Sequence, residues 1–143
     1  MRQPKLYIAS KTNHAKSWLE LRKKWPEVHF VMRWPWQVVA DGHDGTVEAP
    51  DYASHFWQND LADVREADYV LVYAEGQFSA IENAEVYEKL RGALVEAGMA
   101  LALGKQVILV GNAPDYGTWQ HHPNVIKVKT LDDARKCLAP IKS

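Results

Sequence analysis

Glu96 is the only charged residue in the twelve-residue stretch 92–103, GALVEAGMALAL. At helical spacing its neighbours three and four positions away are Gly92, Ala93, Met99 and Ala100, so it does not belong to a solvated charged face. A lone carboxylate among small and apolar groups is costly unless it is paired, and its proton affinity is easily perturbed. Gly92 and Ala100 are also small enough to let a ligand approach the helix. Asp60 breaks the pattern in a similar way, since Phe56, Trp57, Asp60, Leu61 and Val64 fall on adjoining helical positions. On that reading Asp63 and Arg65 can face water. Two carboxylates on the buried faces of helices flanking one sheet suit acid/base or nucleophilic chemistry at carbon. Tyr7, in the middle of an apolar run, offers a hydroxyl that could orient such a carboxylate. Each residue also has a plainer explanation. Glu96 and Asp60 could be buried polar groups satisfied by backbone or an arginine, and Tyr7 a packed core residue.

Other residues add binding rather than bond-breaking chemistry. Ser10 and Lys11 follow the first apolar run and could hold an anion at a helix start, and Arg33 could do the same. Trp34, Trp36 and Trp57 belong to a set of six tryptophans and could stack on a planar base, or build a lid, core or dimer patch instead. His14, His55, His121 and His122 lack metal-ligand spacing, so no metal is expected. After the first run the chain reads Ser10-Lys11-Thr12-Asn13-His14, neither a glycine-rich phosphate loop nor a dinucleotide fingerprint, so no cofactor is expected. Cys137, the single cysteine, excludes an internal disulfide and sits far in sequence from these groups.

The elements that must position these residues alternate. Residues 5–9, 28–32, 68–74, 106–110 and 125–128 are apolar, β-branched or aromatic runs of strand length. Residues 14–25, 52–66, 84–103 and 131–138 carry helical periodicity, with Thr130 as a cap before the last and Gly104 closing the third. Residues 33–51 hold Trp34, Pro35 and Trp36, then Asp41-Gly42-His43-Asp44-Gly45, and read as one long loop forming a wall or lid of a pocket. The order predicts a single-domain α/β, Rossmann-like three-layer sandwich over residues 1–143. Its sheet is five-stranded and mostly parallel, in order 2-1-3-4-5. Ligands in such folds sit beyond the carboxyl ends of the strands.

The chain is 143 residues long with 17 basic and 18 acidic side chains, a formal charge of -1. That balance gives no support to charge-driven binding of a nucleic-acid polymer. No apolar stretch approaches the ~20 residues of a membrane span, and residues 1–5 lack a signal-peptide core. The expectation is a soluble, cytoplasmic protein with no membrane partner.

Three segments resemble the nucleoside 2-deoxyribosyltransferases and their relatives. Lys5-Leu6-Tyr7-Ile8-Ala9 is similar to that family's first strand with its active-site tyrosine. Asn59-Asp60-Leu61, followed by residues 67–73, is similar to its helix-to-strand segment with an active-site aspartate. Residues 92–107, from Gly92 through Glu96 to Gly104-Lys105-Gln106-Val107, resemble its glycine–glutamate–glycine–alanine helix. The opening residues 7–15 and Arg91 before Gly92 resemble a small "deoxyribosyltransferase-like" subgroup. The resemblance implies that Glu96 attacks C1′ of a sugar to give a covalent glycosyl-enzyme, that Asp60 helps protonate the leaving base, and that Tyr7 orients Glu96. It implies a small nucleoside or nucleotide as partner, and a homo-oligomer. The family carries a second aspartate two residues before the glycine, where this chain has Leu90. Three readings therefore stand: an enzyme of the N-glycosidic bond, by transfer or hydrolysis; a non-catalytic nucleotide-binding or sensing module; and an interaction protein using its tryptophan-rich segment.

Overall fold

The computed structural model of the chain describes residues 1–10, 14–40, 50–77, 83–112 and 118–142. Its elements are β1 (Lys5–Ala9), α1 (Ala15–Lys24), β2 (His29–Phe30), α2 (Trp34–Ala40), α3 (Pro50–Glu66), β3 (Tyr69–Gln77), α4 (Asn83–Ala102), β4 (Gln106–Asn112), β5 (Val125–Val128) and α5 (Leu131–Cys137). All five strands join one sheet in the order β2-β1-β3-β4-β5, and every pairing is parallel. The expected order is met, and the sheet is wholly rather than mostly parallel.

Burial explains why these runs are strands. Leu6, Tyr7, Ile8 and Ala9 are fully buried, as are Val70, Leu71 and Val72, and residues 107–110 are nearly so. Continuous apolar runs, rather than alternation, mark strands covered on both faces. Tyr7 lies beside Val70, and Ile8 beside Leu71. Alternation then sends Tyr7 to the face of β1 that meets α3 and α4, while Leu71 and Tyr73 share the opposite face. There Trp18 of α1 meets Tyr73 edge-on, with ring centroids 5.1 Å apart. Asp68 fixes the start of this register: it accepts two bonds from Arg2 at 2.7 Å and one from the Lys5 amide at 2.8 Å. The Arg2 guanidinium holds the Asp68 carboxyl below its usual range.

Two expectations are corrected. Residues 34–40 form α2 rather than the start of a long loop. Pro35 falls in the first turn, where its missing N–H costs nothing, and Trp34 and Val38 are buried. Aromatic and β-branched residues with low helix propensity hid that helix, and tertiary packing overrides them. Residues 41–49 of the expected loop lie outside the described residues. The second strand shrinks to His29–Phe30, an edge strand paired with β1 alone.

Gly104 ends α4 as expected, at φ 72°, with its amide bonded to the Leu101 carbonyl and the Lys105 amide to the Ala100 carbonyl. Gly111, in β4, has φ 117°, and a Cβ there would stand 2.0 Å from the Ala74 carbonyl oxygen of β3. Both the backbone angle and the close approach demand glycine. Gly111→Ala is expected to destabilise the fold by about 3 kcal/mol or more, read as a drop in thermal midpoint. A midpoint unchanged from the parent would contradict this packing.

Candidate active site

The sheet reverses its winding between β1 and β3, the place where open parallel sheets leave a crevice beyond their carboxyl ends. Tyr7 stands in the middle of β1 beside that reversal, Asp60 comes from α3 and Glu96 from α4. On α4, Ala93, Ala97 and Ala100 are buried against the sheet. These small residues let the helix lie close, and Glu96 projects from the same side. The three groups predicted from sequence come together.

Their electrostatics show how close they are. Burial is the main cause that pushes the Glu96 carboxyl well above the usual range. The nearby charge of Asp60 adds to this, and the Tyr7 hydroxyl opposes it without offsetting it. Asp60 is pushed up to about 6, first by burial and then by the charge of Asp63, with Tyr7 and Arg33 pulling the other way. The Tyr7 hydroxyl is itself pushed well above its ordinary value, by burial first and then by Glu96 and Asp60. Burial thus raises the proton affinity of both carboxyls, against the opposing pull of the Tyr7 hydroxyl.

Not every polar atom of the trio is satisfied. Among the described residues neither the Tyr7 hydroxyl nor Asp60 Oδ1 has a partner of sound geometry, although both atoms are buried. Buried polar atoms are nearly always satisfied, and exceptions mark places where strain or an absent ligand completes the set. Bonds between catalytic groups also commonly tighten only when substrate arrives. Removing an unsatisfied hydroxyl relieves a desolvation cost. Tyr7→Phe is therefore expected to raise stability by about 1 kcal/mol while slowing turnover ~10–100-fold through lost orientation. Thermal unfolding and a turnover assay on the same sample check both halves, and a loss of stability would show that the hydroxyl is already satisfied.

The remaining predicted residues are placed as follows. Ser10 accepts a bond from Trp18 Nε1 at 2.7 Å, at the end of β1. Lys11 lies outside the described residues. Trp34 is buried, with Nε1 donating to the Ile8 carbonyl at 3.0 Å, and so braces β1 next to Tyr7. Arg33 donates its amide and Nε to Asp63, both at 2.9 Å. Gly92 is exposed, with open space where a Cβ would be. Asp63, at a position free to face water, is only 3% exposed. No local signal marks it, because its partner Arg33 stands 30 positions earlier in the chain. Among the described residues no group of three or more His, Cys, Asp or Glu side chains is arranged to hold a metal. No described helix is long and apolar enough to cross a membrane.

The class defined by this fold and site is a parallel α/β sandwich with a desolvated carboxyl pair and a tyrosine at its crevice. No protein-family profile and no curated protein matches the chain by sequence. Solved structures do match it in fold. A 2-deoxyribosyltransferase from Bacillus psychrosaccharolyticus is similar with a TM-score of 0.52 at 15% identity, over 96% of this chain and 99% of that one. A CMP N-glycosidase from Clostridium botulinum is similar with a TM-score of 0.49 at 16% identity, over 92% of this chain and 94% of the other. The fold is thus of the nucleoside 2-deoxyribosyltransferase-like kind.

Proposed function

We propose that the protein is an enzyme of the N-glycosidic bond, cleaving or transferring the glycosyl group of a nucleoside or nucleotide. The observation that carries this reading is the desolvated trio of Tyr7, Asp60 and Glu96, two of whose buried polar atoms lack partners among the described residues. The fold is one that a 2-deoxyribosyltransferase uses, which supports the same chemistry. In the first step an oxygen of the Glu96 carboxylate bonds to C1′ as the bond from C1′ to the base nitrogen breaks. Its electron pair goes to the base, which takes a proton from Asp60. The resulting glycosyl ester is opened when water, or the nitrogen of a second base, attacks C1′; that nucleophile gives its proton to Asp60 and frees the Glu96 carboxylate. Covalent catalysis thereby divides one hard displacement into two easier ones. Tyr7 holds Glu96 in line.

Burial raises the proton affinity of both carboxyls, which suits Asp60 to carry the proton for the leaving base. The attacking form of Glu96 is its carboxylate.

Leu90, at the position of the family's second aspartate, favours a weaker grip on the base and makes a binding module the alternative reading. Incubation with a panel of deoxynucleosides and deoxynucleotides, followed by chromatography for free base, decides between them. Base release that vanishes in Glu96→Ala supports the enzyme. Nucleotide-dependent thermal stabilisation without release supports the binding module.

A further inference from the structure

Asp63 lies one helical turn from Asp60 on α3, on a side of the helix hidden from water. Both of its oxygens are committed to Arg33: Oδ2 to the backbone amide and Oδ1 to Nε, each at 2.9 Å. A further guanidinium nitrogen of Arg33 reaches the Asn59 carbonyl at 3.4 Å. The pair is lopsided, since the Asp63 side chain is 4% exposed and that of Arg33 is 54% exposed. Water screens the positive end far more than the negative end, so the net field reaching Asp60 is negative. Burying the carboxylate of such a pair costs desolvation that offsets much of the Coulomb attraction. Its placement one helical turn from Asp60 needs another account.

Resting on the reading of Asp60 as the proton donor, we propose that Asp63 is a positioning residue: a buried carboxylate, held in place by Arg33, whose negative charge keeps Asp60 able to carry the proton delivered to the leaving base. The groups facing Asp60 from each neighbouring element are consistent with this. β1 supplies Tyr7, α4 supplies Glu96, α3 itself supplies Asp63 and the segment before α2 supplies Arg33. α2 carries no ionisable side chain. The charge of Asp63 raises the proton affinity of Asp60 and that of Arg33 lowers it, in agreement with the geometry.

The two halves of this ion pair therefore predict opposite effects, whereas a purely structural pair predicts the same damage from either side. The experiment follows the Asp60 carboxyl by carbon-13 NMR titration of the free protein, assigned with Asp60→Asn, and measures the pH profile of base release from a deoxynucleoside. Asp63→Asn keeps an acceptor for Arg33 and removes the charge. It is expected to lower the Asp60 midpoint by about one unit, moving the fall of base release with rising pH to lower pH and cutting the rate at pH 7 about tenfold. Arg33→Gln keeps donors and removes the opposite charge, and moves both midpoints upward. Opposite shifts in the titration support the inference even where no panel compound is turned over, an outcome that counts against the glycosidic reading alone. Shifts of the same sign, or no shift in either folded variant, overturn it.

Discussion

Glu96→Gln is expected to lower base release by at least about a thousandfold while leaving nucleotide binding within a few-fold of the parent. Glutamine matches the shape of the carboxyl but has no anionic oxygen to bond to C1′, so the covalent route closes. Binding survives because the base, the sugar hydroxyls and any phosphate meet other groups. The substitution also relieves a desolvated carboxyl whose proton affinity is pushed well above its ordinary value by burial. The variant is thus expected to melt above the parent at neutral pH. Loss of activity together with a gain of stability separates a chemical role from a damaged fold. Single-turnover chromatography and ligand-dependent thermal unfolding read the two properties, and near-normal turnover in the variant would remove Glu96 as nucleophile.

Asp60→Asn is expected to produce a second divergence, slower base release by ~10²–10³-fold alongside a more stable protein at pH 7. The sign follows from the proton affinities. Asp60 binds its proton up to about pH 6 in the folded chain, against an ordinary value of 3.8. Between those values the native state holds more proton than the unfolded chain, so stability falls as pH rises through this window and is flat above it. The full difference corresponds to about 3 kcal/mol, an upper bound for a carboxyl that keeps some exposure. The asparagine side chain does not titrate, so the advantage of the variant over the parent vanishes below about pH 4 and is complete near pH 7. Thermal midpoints of both proteins across that range test this. Parallel curves would show that Asp60 has an ordinary proton affinity. A site that costs stability at working pH is what chemistry with desolvated carboxyls requires.

The trio was legible in the sequence because each member violates a local pattern. Glu96 interrupts an otherwise uncharged stretch of twelve residues, Asp60 an apolar stripe, and Tyr7 a buried strand. The sheet order was legible for a related reason, since strands covered on both faces read as unbroken apolar runs with helices between them. The pair of Asp63 and Arg33 was not. At three positions from Asp60, Asp63 looks like ordinary solvated helix surface, and only the fold brings Arg33 across to cover it. The helix at residues 34–40 was hidden in the same way, because Trp34 and Val38 gain their helical state from burial rather than from propensity. The raised proton affinity of Glu96 was not legible either, because the balance between desolvation and the Tyr7 hydroxyl is set by the depth of the site.

The central claim is that Glu96 becomes covalently bonded to the sugar, and the direct measurement is mass spectrometry of the trapped intermediate. A 2′-fluorinated nucleoside or nucleotide slows opening of the glycosyl ester, because the fluorine disfavours positive charge at C1′. Acid quenching followed by proteolysis is expected to give the peptide containing Glu96 heavier by the mass of the fluorinated sugar. The same treatment of Glu96→Gln is expected to give no such peptide. Base release by the parent with no adduct at Glu96 under these conditions, or an adduct on another residue, would contradict the account.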